Sequence, residues 1–228
     1  MLTRVTITGA DDAVDPADLH RLSAEFAFVE WGILRSARAG RPRYPSAEWL
    51  GALAASRTGR PPIRLAAHLC GTLARDALAG REAVVDADLF QRHQVNGFEL
   101  PAEALFELAP RAATEFILQV RSESGLLSVA AAAFARAGLG GRFSLLFDPS
   151  GGRGVEAARW PPPPAGVAMG YAGGIKPATV EAVLRDIGQV EGDFWIDMES
   201  GVRAGDRLDL GLVRQVLERA APFVSHPR

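Results

Sequence analysis

Short apolar runs rich in β-formers alternate along the whole chain with stretches of helical periodicity. RVTIT (4–8), FVEWGIL (28–34), IRLAAHL (63–69), LFQRHQV (89–95), EFILQV (115–120), FSLLFD (143–148), GVAMGY (166–171) and DFWIDM (193–198) read as strands. Between them the apolar spacing turns helical, in PADLHRLSAEF (16–26), PSAEWLGALAAS (45–56), TLARDALAG (72–80), PAEALFELAPRA (101–112), SGLLSVAAAAFARAG (124–138), KPATVEAVLRDIG (176–188) and LDLGLVRQVLERAA (208–221). Asp15 is a candidate N-cap before Pro16, the segment from Pro45 repeats that proline-first pattern, and Gly80 is a usual helix stop. Eight strands and seven helices result. The missing helix falls at WPPPPAG (160–166), whose four prolines predict a stiff, polyproline-like connector.

Alternating strands and helices imply parallel strands joined by crossovers. Eight such units predict an α/β fold, a single (β/α)8 TIM barrel spanning 1–228. A doubly wound open sheet is the alternative. It normally carries a G-x-G-x-x-G fingerprint after its first strand, and TITGADD has none. The glycine-rich signals come late instead, around the last three strands, where barrels place their recurring phosphate site.

Composition narrows the partners. The 228 residues carry a net charge of −2, with 48% hydrophobic and 23% charged residues, ordinary for a globular protein. That balance leaves no footprint for nucleic acid or an anionic membrane. Cys70 is the single cysteine, which excludes an internal disulfide and fits a reducing compartment. The four histidines, 20, 68, 93 and 226, show no ligand spacing, so no metal is expected. MLTRVTITGADD has no signal-peptide run and LLSVAAAAFA (126–135) is too short to span a bilayer, so a soluble, cytoplasmic protein is expected.

In a barrel, chemistry gathers at the C-terminal strand ends. Successive strands offer there Thr8 with Asp11 and Asp12, Glu30 with an arginine-rich loop, His68 and Cys70, Gln94 and Asn96, Gln119 and Arg121, Asp148, Gly173 and Gly174, then Asp197, Glu199, Ser200 and Gly201. GYAGGIKPATVEAVL (170–184) passes from strand through a glycine pair into a helical pattern. Glycines let a ligand approach backbone closely, and a helix start attracts anions. A tight turn into a helix is the plainer reading, and the two stand side by side on this stretch alone.

Taken together, the late motifs resemble phosphoribosylanthranilate isomerase, an enzyme of the tryptophan pathway. FSLLFDPSGGRG…W (143–160) is similar to the family's strand six and its glycine loop, AGGIKPATVEAVL to its seventh-strand motif, and WIDMESGVR (195–203) to the segment after its eighth strand, with Arg203 where the family usually has Glu. RHQVNG (92–97) and RPRYPS (41–46) resemble further family segments, with Asn96 in place of a histidine. The resemblance implies a phosphate cradle from Gly152, Gly154, Gly173, Gly174, Ser200 and Gly201, substrate binding by Gln94 and by Arg43 (on an anthranilate carboxylate), and Asp148 as general acid. It also implies a sugar-phosphate ligand, a monomer or homodimer, and no metal or redox cofactor. Without the family, Asp148 reads as a turn cap and Arg43 as one of four solvated loop arginines with Arg35, Arg38 and Arg41.

One departure bears on mechanism. Thr8 stands where the family has the cysteine that serves as general base. A threonine hydroxyl is a poor base near neutral pH. Asp11 or Asp12, Cys70, His68 and Glu30 are the candidate substitutes, whereas Asp197 reads as a structural network member. Two functions follow. One is an aldose–ketose (Amadori) isomerase of a phosphoribosylated amine. The other is a barrel that binds a sugar phosphate without isomerising it, as a binding or regulatory protein or an enzyme of different chemistry.

Overall fold

The computed structural model describes residues 1–37, 40–78, 88–96, 115–125, 143–189 and 192–225. Eight parallel strands form a closed barrel in chain order: β1 (Leu2–Thr8), β2 (Val29–Arg35), β3 (Arg64–Leu69), β4 (Arg92–Val95), β5 (Glu115–Val120), β6 (Phe143–Phe147), β7 (Ala168–Ala172) and β8 (Phe194–Met198). The ring closes where Thr6 lies in register with Asp197. The described helices are α1 (Pro16–Glu25), α2 (Ala47–Ser56), α3 (Thr72–Leu78), α4 (Val180–Ile187) and α5 (Leu210–Ala220). The expected helix over 101–112, most of that over 124–138, and Gly80 lie outside the described residues. The proline segment 160–166 contains no helix, as its ring geometry requires.

Helix starts differ from the sequence expectation, and local capping explains each. The second helix begins at Ala47 because Ser46 caps it, its Oγ accepting from the Trp49 N–H at 3.1 Å, so Pro45 precedes the cap. The glycine pair does not run straight into α4. Thr179 ties 176–179 into a turn, its Oγ accepting the Lys176 N–H at 3.2 Å and donating to the Gly174 carbonyl at 3.2 Å. The last helix begins at Leu210 because Asp209 accepts from the Gly211 and Leu212 N–H groups. Residues 207 and 208 belong instead to a small hairpin of β9 (Arg203–Ala204) and β10 (Arg207–Leu208), which periodicity could not show at two residues a strand.

Strand alternation separates two interiors. Outward residues such as Val5, Ile7, Trp31, Leu65, Phe116, Leu118, Phe143, Leu145, Tyr171 and Ile196 form the main apolar core with helix residues such as Leu19, Leu53, Leu184, Val216 and Leu217. Inward positions are largely polar, around a small apolar plug of Ile117, Leu146, Ala172 and Trp195. Gly170 is inward too, because a Cβ there would overlap the Trp195 indole.

Below the plug, at the N-terminal strand ends, Glu30 is buried and paired. Arg92 meets it at 2.9 Å, Thr6 Oγ1 donates to it at 2.9 Å, and Arg4 lies at 3.4 Å. Arg92 also meets Glu115 at 3.0 Å and stacks 4.3 Å from the Trp195 ring centre, a desolvated cation–π contact of about 2 kcal/mol. Burial alone would raise the Glu30 carboxyl, but the charges of Arg92 and Arg4 outweigh it and hold the group below its ordinary range. Glu30 therefore belongs to a structural network beneath the plug, away from the barrel mouth.

Candidate active site

Above the plug, the C-terminal strand ends line a cavity that is partly open to solvent. Its floor and walls include Thr8, His68, Gln94, Asn96, Gln119, Asp148 and Asp197; loop residues Ser150, Gly152, Gly154, Gly173, Gly174, Glu199 and Ser200 form the rim. Most of the residues singled out from sequence are thus brought together. Gly201 packs under the rim, where a Cβ would overlap the Ile175 carbonyl. Asp11 and Arg43 are not among the described lining residues.

The glycine rim is made by three loops packing on one another. At Gly174, φ is +66° and a Cβ would lie 2.5 Å from the Glu156 Cα, so only glycine lets the loops after β6 and β7 meet. Ser200 opens a single turn of 3-10 helix, Ser200–Val202. Among the described residues, nothing accepts the N–H groups of Gly173, Gly174 or Ser200, three donors at the cavity edge. The close approach foreseen for the glycine pair is therefore between protein loops, with the N–H groups left for a ligand.

Asp148 is buried at the end of β6 and accepts four hydrogen bonds. Ser150 Oγ and N–H reach Oδ1 at 2.7 and 3.1 Å, while the Gly152 N–H and Gln119 Nε2 reach Oδ2 at 2.6 and 2.7 Å. It caps its own loop and also faces the cavity.

Asp197 is the group that sequence reasoning placed in a supporting role. It is buried in the cavity wall and its pKa is pushed up to about 7. Burial is the main cause; hydrogen bonds from Thr8 and Gln94 oppose it, and the charges of Asp148 and Glu30 add to it. Thr8 Oγ1 donates to Oδ1 at 2.8 Å and Gln94 Nε2 approaches Oδ2 at 3.4 Å. A period-two count from inward Trp195 places Asp197 on the inner face. That signal is legible in sequence, but the missing counter-cation is not.

The other candidate bases fare differently. His68 is buried and pushed down to about 4, mainly by burial, so it is neutral at physiological pH. Its Nδ1 lies 3.3 Å from Gln94 Nε2. Among the described residues, His68 Nε2 and Gln94 Oε1 are buried without hydrogen-bond partners, which points to a polar ligand. Burial raises the Cys70 thiol, so the thiolate is disfavoured. Asp11 and Asp12 anchor the loop after β2. Asp11 accepts the Arg43 N–H at 2.6 Å and the Ala13 N–H at 3.0 Å, and Asp12 accepts the Ser46 N–H at 2.9 Å. Arg43 in turn points at Glu199, Nη1 to Oε1 2.9 Å.

No family model matches the sequence, and no curated protein matches it. Solved structures do match. Monomers of the dimeric phosphoribosylanthranilate isomerase of Thermotoga maritima superpose with a TM-score of 0.61 at 18% identity, covering 97% of this chain and 100% of that one. The likeness is one of fold. The Pyrococcus furiosus N-(5'-phosphoribosyl)anthranilate isomerase gives 0.57 at 15% identity, covering 96% and 99%, and the Thermococcus kodakaraensis enzyme 0.53 at 16%, also covering 96% and 99%. The barrel and its near-complete coverage agree with the resemblance read from the sequence motifs. Among the described residues, no helix is long and apolar enough to cross a membrane.

Proposed function

We propose that this barrel is an aldose–ketose isomerase of the Amadori type, acting on a phosphoribosylated amine. One observation carries the reading: two buried carboxylates, Asp148 and Asp197, line one cavity whose rim holds the N–H groups of Gly173, Gly174 and Ser200, which have no acceptor among the described residues. Structural neighbours named as phosphoribosylanthranilate isomerases support it.

In such a reaction the ring oxygen takes a proton as its bond to C1 breaks, and the amine lone pair forms a C=N bond. A base then removes the C2 proton, giving an enaminol. Protonation at C1 and loss of the O2 proton complete the aminoketose. Asp197 is the base, because a carboxyl near neutral pKa combines availability with basicity. Thr8 donates its hydroxyl hydrogen to Asp197 and so positions it, and Gln94 supports the other oxygen. Asp148, which faces the same cavity, is placed to act as the acid on the ring oxygen. The glycine-rim N–H groups hold the phosphate, with exposed Lys176 two residues beyond Gly174.

A second reading, a sugar-phosphate-binding barrel without isomerisation, draws on the four donors already facing Asp148. Turnover separates the two. The N-glycosides of ribose 5-phosphate with primary arylamines are supplied and the aminoketose is followed. The isomerase reading expects turnover of at least one, reduced about 10²–10⁴-fold in Asp148→Asn. No turnover with any amine, or full turnover in the variant, overturns it.

A further inference from the structure

Glu199 and Ser200 are neighbours at the end of β8, yet their side chains part. Ser200 Oγ lies where a Cβ on Gly154 would be, in the glycine loop after β6. Glu199 reaches the other way, its Cγ 3.4 Å from where a Cβ on Gly9 would lie, just beyond β1. The cavity thus has a glycine end and a Glu199 end.

The Glu199 end is already supplied with anions. Arg43 Nη1 meets Glu199 at 2.9 Å and Nη2 lies 3.9 Å from Asp206. Arg203 donates to the Gly9 carbonyl at 2.9 Å and lies 3.6 Å from Asp11. Among the described residues, two guanidinium groups therefore face three carboxylates, one negative charge in excess. Arg43 is held in this place by its backbone, with φ at +76° and its N–H on Asp11. Within the described cavity lining there are three carboxylates, Asp148, Asp197 and Glu199, and no Lys or Arg. A ligand carboxylate arriving here would meet Glu199 and would have to displace it from Arg43. A neutral or cationic group would find a carboxylate waiting.

We infer that Glu199 sets the amine specificity of this site: the ligand's non-phosphate end is neutral or cationic, such as an amino-bearing aryl or alkyl group, and is not a carboxylate like that of anthranilate. The inference rests on the isomerase reading for the phosphosugar part alone. It reverses what the sequence resemblance implies for Arg43, which is spoken for by Glu199. Burial also raises the Glu199 carboxyl, with Asp197 adding to the rise and Arg43, Arg203 and His68 opposing it.

Three stable probes test it: N-aryl-1-aminoribitol 5-phosphates that differ only in an ortho carboxylate, hydrogen or aminomethyl group. Ribitol 5-phosphate is the control, and calorimetry on the full chain is the readout. The aminomethyl and unsubstituted probes should bind about tenfold or more tightly than the carboxylate probe. Glu199→Gln should reverse that order by weakening the aminomethyl probe and strengthening the carboxylate one. Preference for the carboxylate by the unaltered protein, or an order unchanged in Glu199→Gln, overturns the inference while leaving the isomerase reading intact. Failure of all three probes and of ribitol 5-phosphate to bind overturns both.

Discussion

Glu30 and Asp197 are carboxylates removed from water inside the same barrel, and they are pushed in opposite directions. Below the apolar plug, Glu30 meets Arg92 and Arg4 and stays below its ordinary pKa. Above it, among the described residues, Asp197 has the hydroxyl of Thr8 and the amide of Gln94 as its partners, and it rises to about 7. Burial is equal; the presence of a guanidinium decides. A buried carboxylate with its cation is architecture. A buried carboxylate without one, facing a cavity, is available to exchange a proton.

The largest effect that sharpens this contrast is catalytic. Asp197→Asn should keep the fold and lower turnover about 10²–10⁴-fold, whereas Glu30→Gln should act through stability. A folded, fully active Asp197→Asn would erase the distinction. Next comes the lower network. Arg92→Met leaves the Glu30 charge buried with only Arg4 nearby and removes the stack on Trp195, so it should cost about 3–5 kcal/mol in chemical denaturation. A loss below about 1 kcal/mol would mean that the pair is solvated.

The pH dependence has opposite sign in the two halves. Asp197 binds its proton more tightly folded than unfolded, so its contribution to stability is best at low pH and declines as pH rises from about 4 to about 7. Asp197→Asn should therefore raise the melting temperature by about 10 °C at pH 8 and leave it nearly unchanged at pH 4. Glu30 is held ionised, so its contribution is present above its unfolded pKa and fades as pH falls through the lowered folded value. Carboxyl-carbon NMR would see both directly, with Asp197 titrating near 7 and Glu30 below the usual range. The smallest effect belongs to Thr8→Val. Losing one hydroxyl donor to a carboxylate, about 1–2 kcal/mol, should move the Asp197 midpoint upward by about one unit.

The architecture was legible in the sequence because strand and helix periods differ and most of the strands are clear apolar runs. The early limits of β4 were not: Leu89 and Phe90 continue the apolar run, but the strand begins at Arg92, and just before it the Gln91 side chain accepts the Leu65 N–H at 2.8 Å. At the site, motifs pointed to Asp148 and the glycine rim because glycine spacing is local. The role of Asp197 was hidden because a raised pKa depends on which cations are missing in space. The pairing of Arg43 was hidden for a related reason. Its occupant, Glu199, lies 156 residues away in the chain.

The most direct test of the account is the rate of aminoketose formation from N-aryl ribosylamine 5-phosphates between pH 5 and 9, with the protein and with Asp197→Asn. A base that must be ionised predicts a rate that rises with a midpoint near 7 and a variant nearly flat and inactive across the range. A pH-independent rate, or a variant that keeps both the rate and its midpoint, would contradict it.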